Sequence, residues 1–300
     1  MESDESAAFA FCRDVAKRRA RNFYYGLCLT PEPRRSAIYT IYAWMRAADD
    51  EADTASSPAA ARDRLAERRE ALSRFVRDEA LPAERRGDPI WVALRAVLRA
   101  FPVNADDLFA MLDGLEEDSE HLGYTTRADL RRYCYRVAST VGLVCLSIWG
   151  MRADAANELP KARALAERRG IAFQLTNILR DFAQDDDAGR VYLPQEDFAR
   201  HGLTPAALRE WREPEKCAAM VADLAAWARG EYEASAPLDA MIDPSCRPTL
   251  WAMTQIYSGL LRKIEQSPER VVGSRRIRLQ SAHKAGIAAT AVWRSRRDAW

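Results

Sequence analysis

Residues 164–187 read ALAERRGIAFQLTNILRDFAQDDD, the pattern of a helix turned inside out. An ordinary surface helix carries one apolar stripe on a polar cylinder. Here Ile171, Phe173, Leu175, Ile178, Leu179 and Phe182 cover most of the circumference. Gln174, Asn177, Asp181 and Asp185, at steps of three, four and four, leave a single polar stripe. Residues at those spacings share one helix face. A helix packed on most sides must aim such a strip into a polar cleft, because a buried carboxylate without a partner is too costly. Carboxylates four residues apart repel by a few tenths of a kcal/mol even in water, and Asp186 and Asp187 add to the charge density. A divalent cation reverses the sign of that interaction. An all-oxygen set suits Mg²⁺, which keeps several waters and shares phosphate ligands.

The same construction occurs earlier. Residues 38–53, IYTIYAWMRAADDEAD, are strongly apolar and then place Arg46, Asp49 and Asp53 at steps of three and four on one face. Either segment alone reads equally well as a solvated acidic helix end. Two such pairs, each flanked by apolar helix and each with a guanidinium or amide beside it, favour a Mg²⁺ clamp across a helical bundle that holds a diphosphate. Diphosphate leaves readily once Mg²⁺ and arginine neutralise it, so the matching chemistry is ionisation to a carbocation. Other readings of these acids fail. Asp50-Glu51-Ala52-Asp53 spells a helicase motif, but no G-x-x-x-x-G-K-[ST] loop accompanies it. In Asp185-Asp186-Asp187-Ala188-Gly189 the glycine falls one position early for a calcium loop. No G-x-G-x-x-G dinucleotide fingerprint is present.

Outward from these segments the chain is consistently helical. Breakers at 56–58, 87–89, 102–104, 237–248 and 268 separate Ala/Leu/Arg/Glu-rich segments, predicting helices of about 15 to 25 residues. Thr204-Pro205 reads as an N-cap with proline in the first turn, opening a helix through about Trp211. Val191-Tyr192-Leu193 is a brief strand candidate that Pro194 stops. Thirteen glycines in 300 residues, about 4% against the usual ~7%, argue against turn-rich folds. No linker divides the chain, so the expectation is one all-α domain over 9–300 after a flexible tail at 1–8.

A 48% hydrophobic content supports a large core, and a net charge of +1 gives no global field for nucleic acid. The longest apolar run, 141–151, falls short of the ~20 residues of a membrane span, and the acidic start does not read as a secretory signal. Cys12, Cys28, Cys134, Cys145, Cys217 and Cys246 show no C-x-x-C pair and read as buried thiols of a reducing cytoplasm. His121, His201 and His283 have no metal-ligand spacing.

Four stretches together resemble the squalene/phytoene synthase family of head-to-head prenyl transferases. They are Arg21-Asn22-Phe23-Tyr24-Tyr25-Gly26, Ile41 through Asp53, Tyr133 through Gly142 (YCYRVASTVG), and Gln174 through Pro194. The resemblance implies a single isoprenoid-synthase-type helical bundle around a deep apolar cavity. It implies that Asp49, Asp53, Asp181 and Asp185 bind Mg²⁺-diphosphate, and that Arg46, Gln174 and Asn177 contact diphosphate or metal. Tyr42 and Tyr133 match hydroxyls near the reacting carbons, and Phe23 matches an aromatic at the cavity mouth. Arg180 and Arg190 match a flap over the diphosphate, Tyr257 a further diphosphate-side tyrosine, and Arg275 or Arg276 a late arginine. Read without the resemblance, Tyr42 and Tyr133 are more simply core tyrosines with satisfied hydroxyls.

The sequence departs from the family pattern at Ser139, where the family often has glycine, and at Gln184, where it often has glutamate. Ser139 points toward C30 chemistry on a cavity helix. The implied activity is Mg²⁺-dependent joining of two farnesyl diphosphates to presqualene diphosphate, with squalene or dehydrosqualene as further products and NADPH as reductant where squalene forms. The alternatives are a phytoene synthase using geranylgeranyl diphosphate, a class I terpene cyclase, and an inactive scaffold subunit. The basic tail (Arg270, Arg275, Arg276, Arg278, Lys284, Arg294, Arg296, Arg297) reads as a solvated face or as contact with anionic headgroups of a membrane surface.

Overall fold

The breakers in the sequence open helices. Ser57, Asp88 and Asn104 each turn a side-chain oxygen onto a backbone N–H of the helix that follows, with Pro58 and Pro89 in the first turn of two of them. The computed structural model describes residues 2–20, 24–121 and 123–297. The main elements are α1 (Glu2–Arg19), α2 (Arg34–Asp53), α3 (Pro58–Val76), α4 (Pro89–Ala100), α5 (Ala105–Glu120), α6 (Arg127–Cys134), α7 (Thr140–Trp149), α8 (Leu159–Asp187), α9 (Pro214–Ala234), α10 (Arg247–Gln266) and α11 (Ser281–Arg296). No strand occurs among the described residues, only an isolated bridge between Met151 and Ile242. The fold is all-α, as the periodicity predicts, and 191–193 is loop rather than strand.

Three local differences from expectation have clear reasons. The flexible tail expected at 1–8 is helical from Glu2, because Ala8 and Cys12 bury against Ala43 of α2 and Ala93 of α4, where small side chains allow close approach. The segment capped by Thr204 ends at Arg209 instead of Trp211, which takes a positive φ of 54°. The helix α8 runs for 29 residues, longer than expected, since neighbours cover most of its surface. Among the described residues no helix is long and apolar enough to cross a membrane.

Two apolar clusters make up most of the core. One gathers Trp44, Trp91, Leu94, Leu112 and Ile148 from α2, α4, α5 and α7. The other gathers Ile171, Leu175, Leu179, Leu224, Ile256 and Leu260 from α8, α9 and α10. Half-buried Phe173 packs against both. The segment between α6 and α7, Tyr135–Ser139, widens into a π-turn, a distortion common where a helix must re-aim side chains at a functional site.

That π-turn lies hard against α8. A Cβ on Gly170 would come within 2.4 Å of Ser139 Cα and 2.7 Å of Ser139 N, backbone atoms that cannot swing aside. Alanine at 170 would gain about 1 kcal/mol of helix propensity, but overpacking costs about 1–3 kcal/mol. Immovable contacts put this site at the upper end. Gly170→Ala is therefore expected to destabilise the protein by about 1–2 kcal/mol, read as a lower thermal midpoint; an unchanged midpoint would contradict the packing account.

Candidate active site

The acids at the end of α2 are sorted onto different faces. Glu51 turns toward α3, where the fully buried Arg68 grips it through two bonds of 2.8 Å and Arg85 adds a third. Burial opposes its charge, but those arginines hold its carboxyl below the usual range. Arg46 pairs with Asp49 at 2.7 Å and with Asp50, which also receives Arg19 at 2.8 Å. Burial pushes Asp49 up to about 6; Asp53, Asp118 and Asp50 add to this against the pull of Arg46. Asp53 is exposed at the last residue of α2, near enough to Arg190 to strengthen that guanidinium's hold on its proton. Tyr42 is half-buried one turn before Arg46, and burial raises its phenol.

The polar stripe of α8 is as the sequence indicates. Gln174, Asn177, Asp181 and Asp185 are half-buried, while Ile171, Leu175, Ile178, Leu179 and Phe182 are buried around them. Arg180 grips Asp181 through bonds of 2.8 and 2.5 Å, and Arg276 grips the same carboxylate from the far end of the chain. Burial works against the Asp181 charge, but the two arginines outweigh it and hold the group below the ordinary carboxylate value. Asp185, one turn on, goes the other way: burial first, then Asp181 and Asp118, push it up to about 7 against Arg190 and Arg276. Asp186 and Asp187 leave the stripe for Arg209. Tyr257 is fully buried beside Phe173 and Arg180, and burial pushes its phenol up to about 12.

A third acid, absent from the sequence reading, links the two motifs. Asp118, in the last turn of α5, accepts the hydroxyls of Tyr133 and Tyr192 on one oxygen, both at 2.6 Å, and Arg190 on the other at 3.0 Å. Tyr133 and Tyr192 stack at 5.4 Å, and burial followed by the Asp118 charge raises the Tyr133 phenol well above its ordinary value. His121, for which the spacing gave no role, accepts the Val191 N–H on Nε2 at 2.9 Å. The only sequence signal for Asp118 was its register, seven residues after buried Met111 on the core-facing side of α5, masked by the flanking Glu-Glu-Asp run.

Ser139 is fully buried and donates its hydroxyl to the Glu167 carbonyl at 2.7 Å. It serves the contact between the π-turn and α8, where the two segments approach closely at Gly170. Phe23 lies outside the described residues. Of the alternatives Arg275 and Arg276, Arg276 is the one bound to Asp181.

The donor chemistry fits a hard divalent cation. Helices α2, α5 and α8 all end in acids with no basic residue in the last turn, against the negative end of the helix dipole. Asn177 Oδ1 is sealed from solvent with no hydrogen-bond donor on it. Yet among the described residues no three acidic, histidine or cysteine side chains converge tightly enough to hold an ion unaided. Mg²⁺ is commonly held by one or two carboxylates, water and substrate phosphate, so a site completed by a diphosphate matches this arrangement.

The profile of the family described as Squalene/phytoene synthase matches residues 16–283. A phytoene synthase of Mycobacterium tuberculosis is 34% identical over 291 residues, covering 95% of this chain and 90% of its own length. A phytoene synthase of Arthrospira platensis is 32% identical over 279 residues, covering 90% and 88%. Among solved structures, a dehydrosqualene synthase in complex with a ligand superposes with a TM-score of 0.84 at 28% identity, covering 98% of this chain and 99% of that one. The squalene synthase HpnC from Alicyclobacillus acidocaldarius, at 23% identity and a TM-score of 0.78 over 88% and 95% of the two chains, shares the fold.

Proposed function

The chain belongs to the squalene/phytoene synthase family and is a prenyltransferase, and on that premise we propose that it joins two farnesyl diphosphates head to head to give presqualene diphosphate. The observation that carries the reading is that one acid of each D-x-x-x-D pair, Asp49 and Asp185, lies near enough to Asp118 for its charge to raise both. Farnesyl as the substrate is supported by the full-length likeness to a dehydrosqualene synthase. Geranylgeranyl diphosphate is the second reading, supported by the phytoene synthases at 32–34% identity.

In this mechanism Asp49, Asp53, Asp181, Asp185 and Asn177 Oδ1 are the oxygens that would hold Mg²⁺, with Gln174 the amide nearest them on the stripe, and the bound cation would supply neutralisation of the departing diphosphate. Arg46, Arg190 and Arg276 are paired with carboxylates in the ligand-free chain, and a diphosphate offers each an alternative anion. Arg180 stays buried and steadies Asp181. Tyr42, Tyr133 and Tyr257 are the hydroxyls assigned to the reacting end of the substrates, Tyr133 held by Asp118 and Tyr257 buried beside Arg180. One donor ionises, the 2,3 double bond of the second molecule attacks the allylic cation, and closure of the cyclopropane releases one proton. The freed diphosphate takes that proton, assisted by a tyrosine hydroxyl.

Exposed Val292, Trp293 and Arg296 on α11, with exposed Arg297 just past its end, support an enzyme that touches a membrane surface to release an apolar product. Purified protein given Mg²⁺ and either farnesyl or geranylgeranyl diphosphate, with and without NADPH, is expected to yield a C30 product from farnesyl diphosphate, resolved by mass. Dependence on NADPH fixes whether the reaction reaches squalene. A C40 product alone would establish the second reading, and absence of both product and free diphosphate would overturn the enzyme assignment for this site.

A further inference from the structure

We infer that Asp118 is a positioning residue for this reaction, the shared anchor that fixes the Tyr133 hydroxyl and the 189–194 segment to one another. The inference rests on the reading of the site proposed above. Its basis is geometric. A single carboxylate accepts from three side chains that come from two places: Tyr133 on α6, and Arg190 and Tyr192 on the segment that follows α8. Two phenols share one oxygen at 2.6 Å, within the range for a charge-assisted O–H bond.

Position argues against a plain surface acid. The Asp118 side chain is 22% exposed, close to the 19% of Glu117, which pairs with Arg136, and well below Glu116 and Glu120 at 41% and 39%. It also sits at the negative end of the α5 dipole, where a carboxylate costs stability unless donors compensate. Three donors do so here, and one of them, Arg190, is also close enough to Asp185 and Asp53 to interact with both charges. With its proton committed to Asp118, the Tyr133 hydroxyl keeps only lone pairs to present elsewhere, so Asp118 sets its polarity as well as its place. The segment 189–194 is moored at further points: Arg190 N–H to the Asp185 carbonyl at 2.8 Å, and Val191 N–H to His121. Asp118 therefore ties the end of α8 to the tyrosine on α6 through one group.

Asp118→Asn keeps shape but has a single acceptor oxygen. Its amide nitrogen faces either Arg190, donor against donor, or the two phenols, which must then accept from it and turn their own protons away, so either one arm of the anchor or the fixed polarity of the Tyr133 hydroxyl is lost. Acting through Tyr133, the substitution is expected to lower kcat by about 10²-fold with KM changed only a few-fold. In a Tyr133→Phe background it should cost no more than about threefold further, since the shared effect is already gone. Amide exchange at 188–193 should rise at least tenfold in the ligand-free Asp118→Asn protein and stay unchanged in α9 and α10. Multiplicative losses in the double variant, or exchange rising evenly across the chain, would overturn the inference and leave Asp118 as ordinary packing. Should the wild-type protein turn over neither prenyl diphosphate, the proposed function falls, while the exchange comparison still decides whether Asp118 anchors this segment.

Discussion

Asp181→Asn and Asp185→Asn are each expected to lower kcat/KM on a prenyl diphosphate by about 10³-fold, roughly 4 kcal/mol, while moving thermal stability in opposite directions. The two residues lie one turn apart on the same stripe, so a generic effect of lost charge would move both alike. Asp181 is clasped by Arg180 and Arg276. Arg180 is buried, and withdrawing its carboxylate leaves a charge partly unpaired in the interior, which costs about 3–5 kcal/mol when nothing compensates. The asparagine oxygen and Tyr257 soften this, so a loss of about 1–3 kcal/mol is expected. Asp185 is pushed up to about 7 by burial and by Asp181 and Asp118. An amide there removes a repulsion, so the ligand-free protein at pH 8 should melt at a higher temperature than the parent. A site that is stabilised by losing the group it needs is the usual mark of function held against stability. Calorimetry in the presence of a chelator, with product assays on the same preparations, checks both halves. Full activity in either variant would remove that residue from the diphosphate site.

Much of this arrangement was legible because inversion of amphipathicity is a local signal. The stripe from Gln174 to Asp185 needs only helical spacing to be seen, and its flanking residues are buried as the pattern requires. The helix ends were equally legible, since Ser57, Asp88, Asn104 and Thr204 cap within three residues of themselves. What escaped depends on partners distant in sequence. Nothing local distinguishes Asp118 from Glu116 or Glu117 until Tyr133, Arg190 and Tyr192 arrive from elsewhere in the chain. The acid-rich run at 49–53 could not be divided from sequence into Glu51, neutralised by Arg68 and Arg85, and the strained Asp49. Arg276 was separable from Arg275 only once its fork met Asp181, 95 positions away in the chain.

Stability of the ligand-free protein is expected to fall as pH rises from about 4 to about 7, and to fall much less when Mg²⁺ and inorganic diphosphate are present. An acid whose folded pKa is raised holds its proton in the folded state while the unfolded chain has already released it. The unfolded state then binds fewer protons, and stability declines with pH across the gap. For Asp49 that gap runs from the ordinary value of 3.8 to about 6, and for Asp185 to about 7. Asp181, held low by its arginines, has its contribution complete above the ordinary value and is flat across this window. His121 acts oppositely: burial lowers its pKa, so the folded state sheds the proton first and gains stability as pH rises toward 6.5. Asp239, raised by burial near Arg169, adds a slope that the diphosphate site does not control. Two site carboxylates against one imidazole leave the net sign downward. A cation shared with diphosphate lets Asp49 and Asp185 ionise at no such cost, so the slope should shrink to the remainder set by Asp239 and His121. At a hundredfold excess over Kd the ligands should also add about 2.7 kcal/mol. Thermal midpoints at pH 4.5 and 7.5, with chelator and then with Mg²⁺ and diphosphate, measure both effects. A midpoint that climbs with pH in chelator would mean the carboxylates are not strained. One that falls equally with and without Mg²⁺ and diphosphate would mean that the strain lies outside the site that binds them.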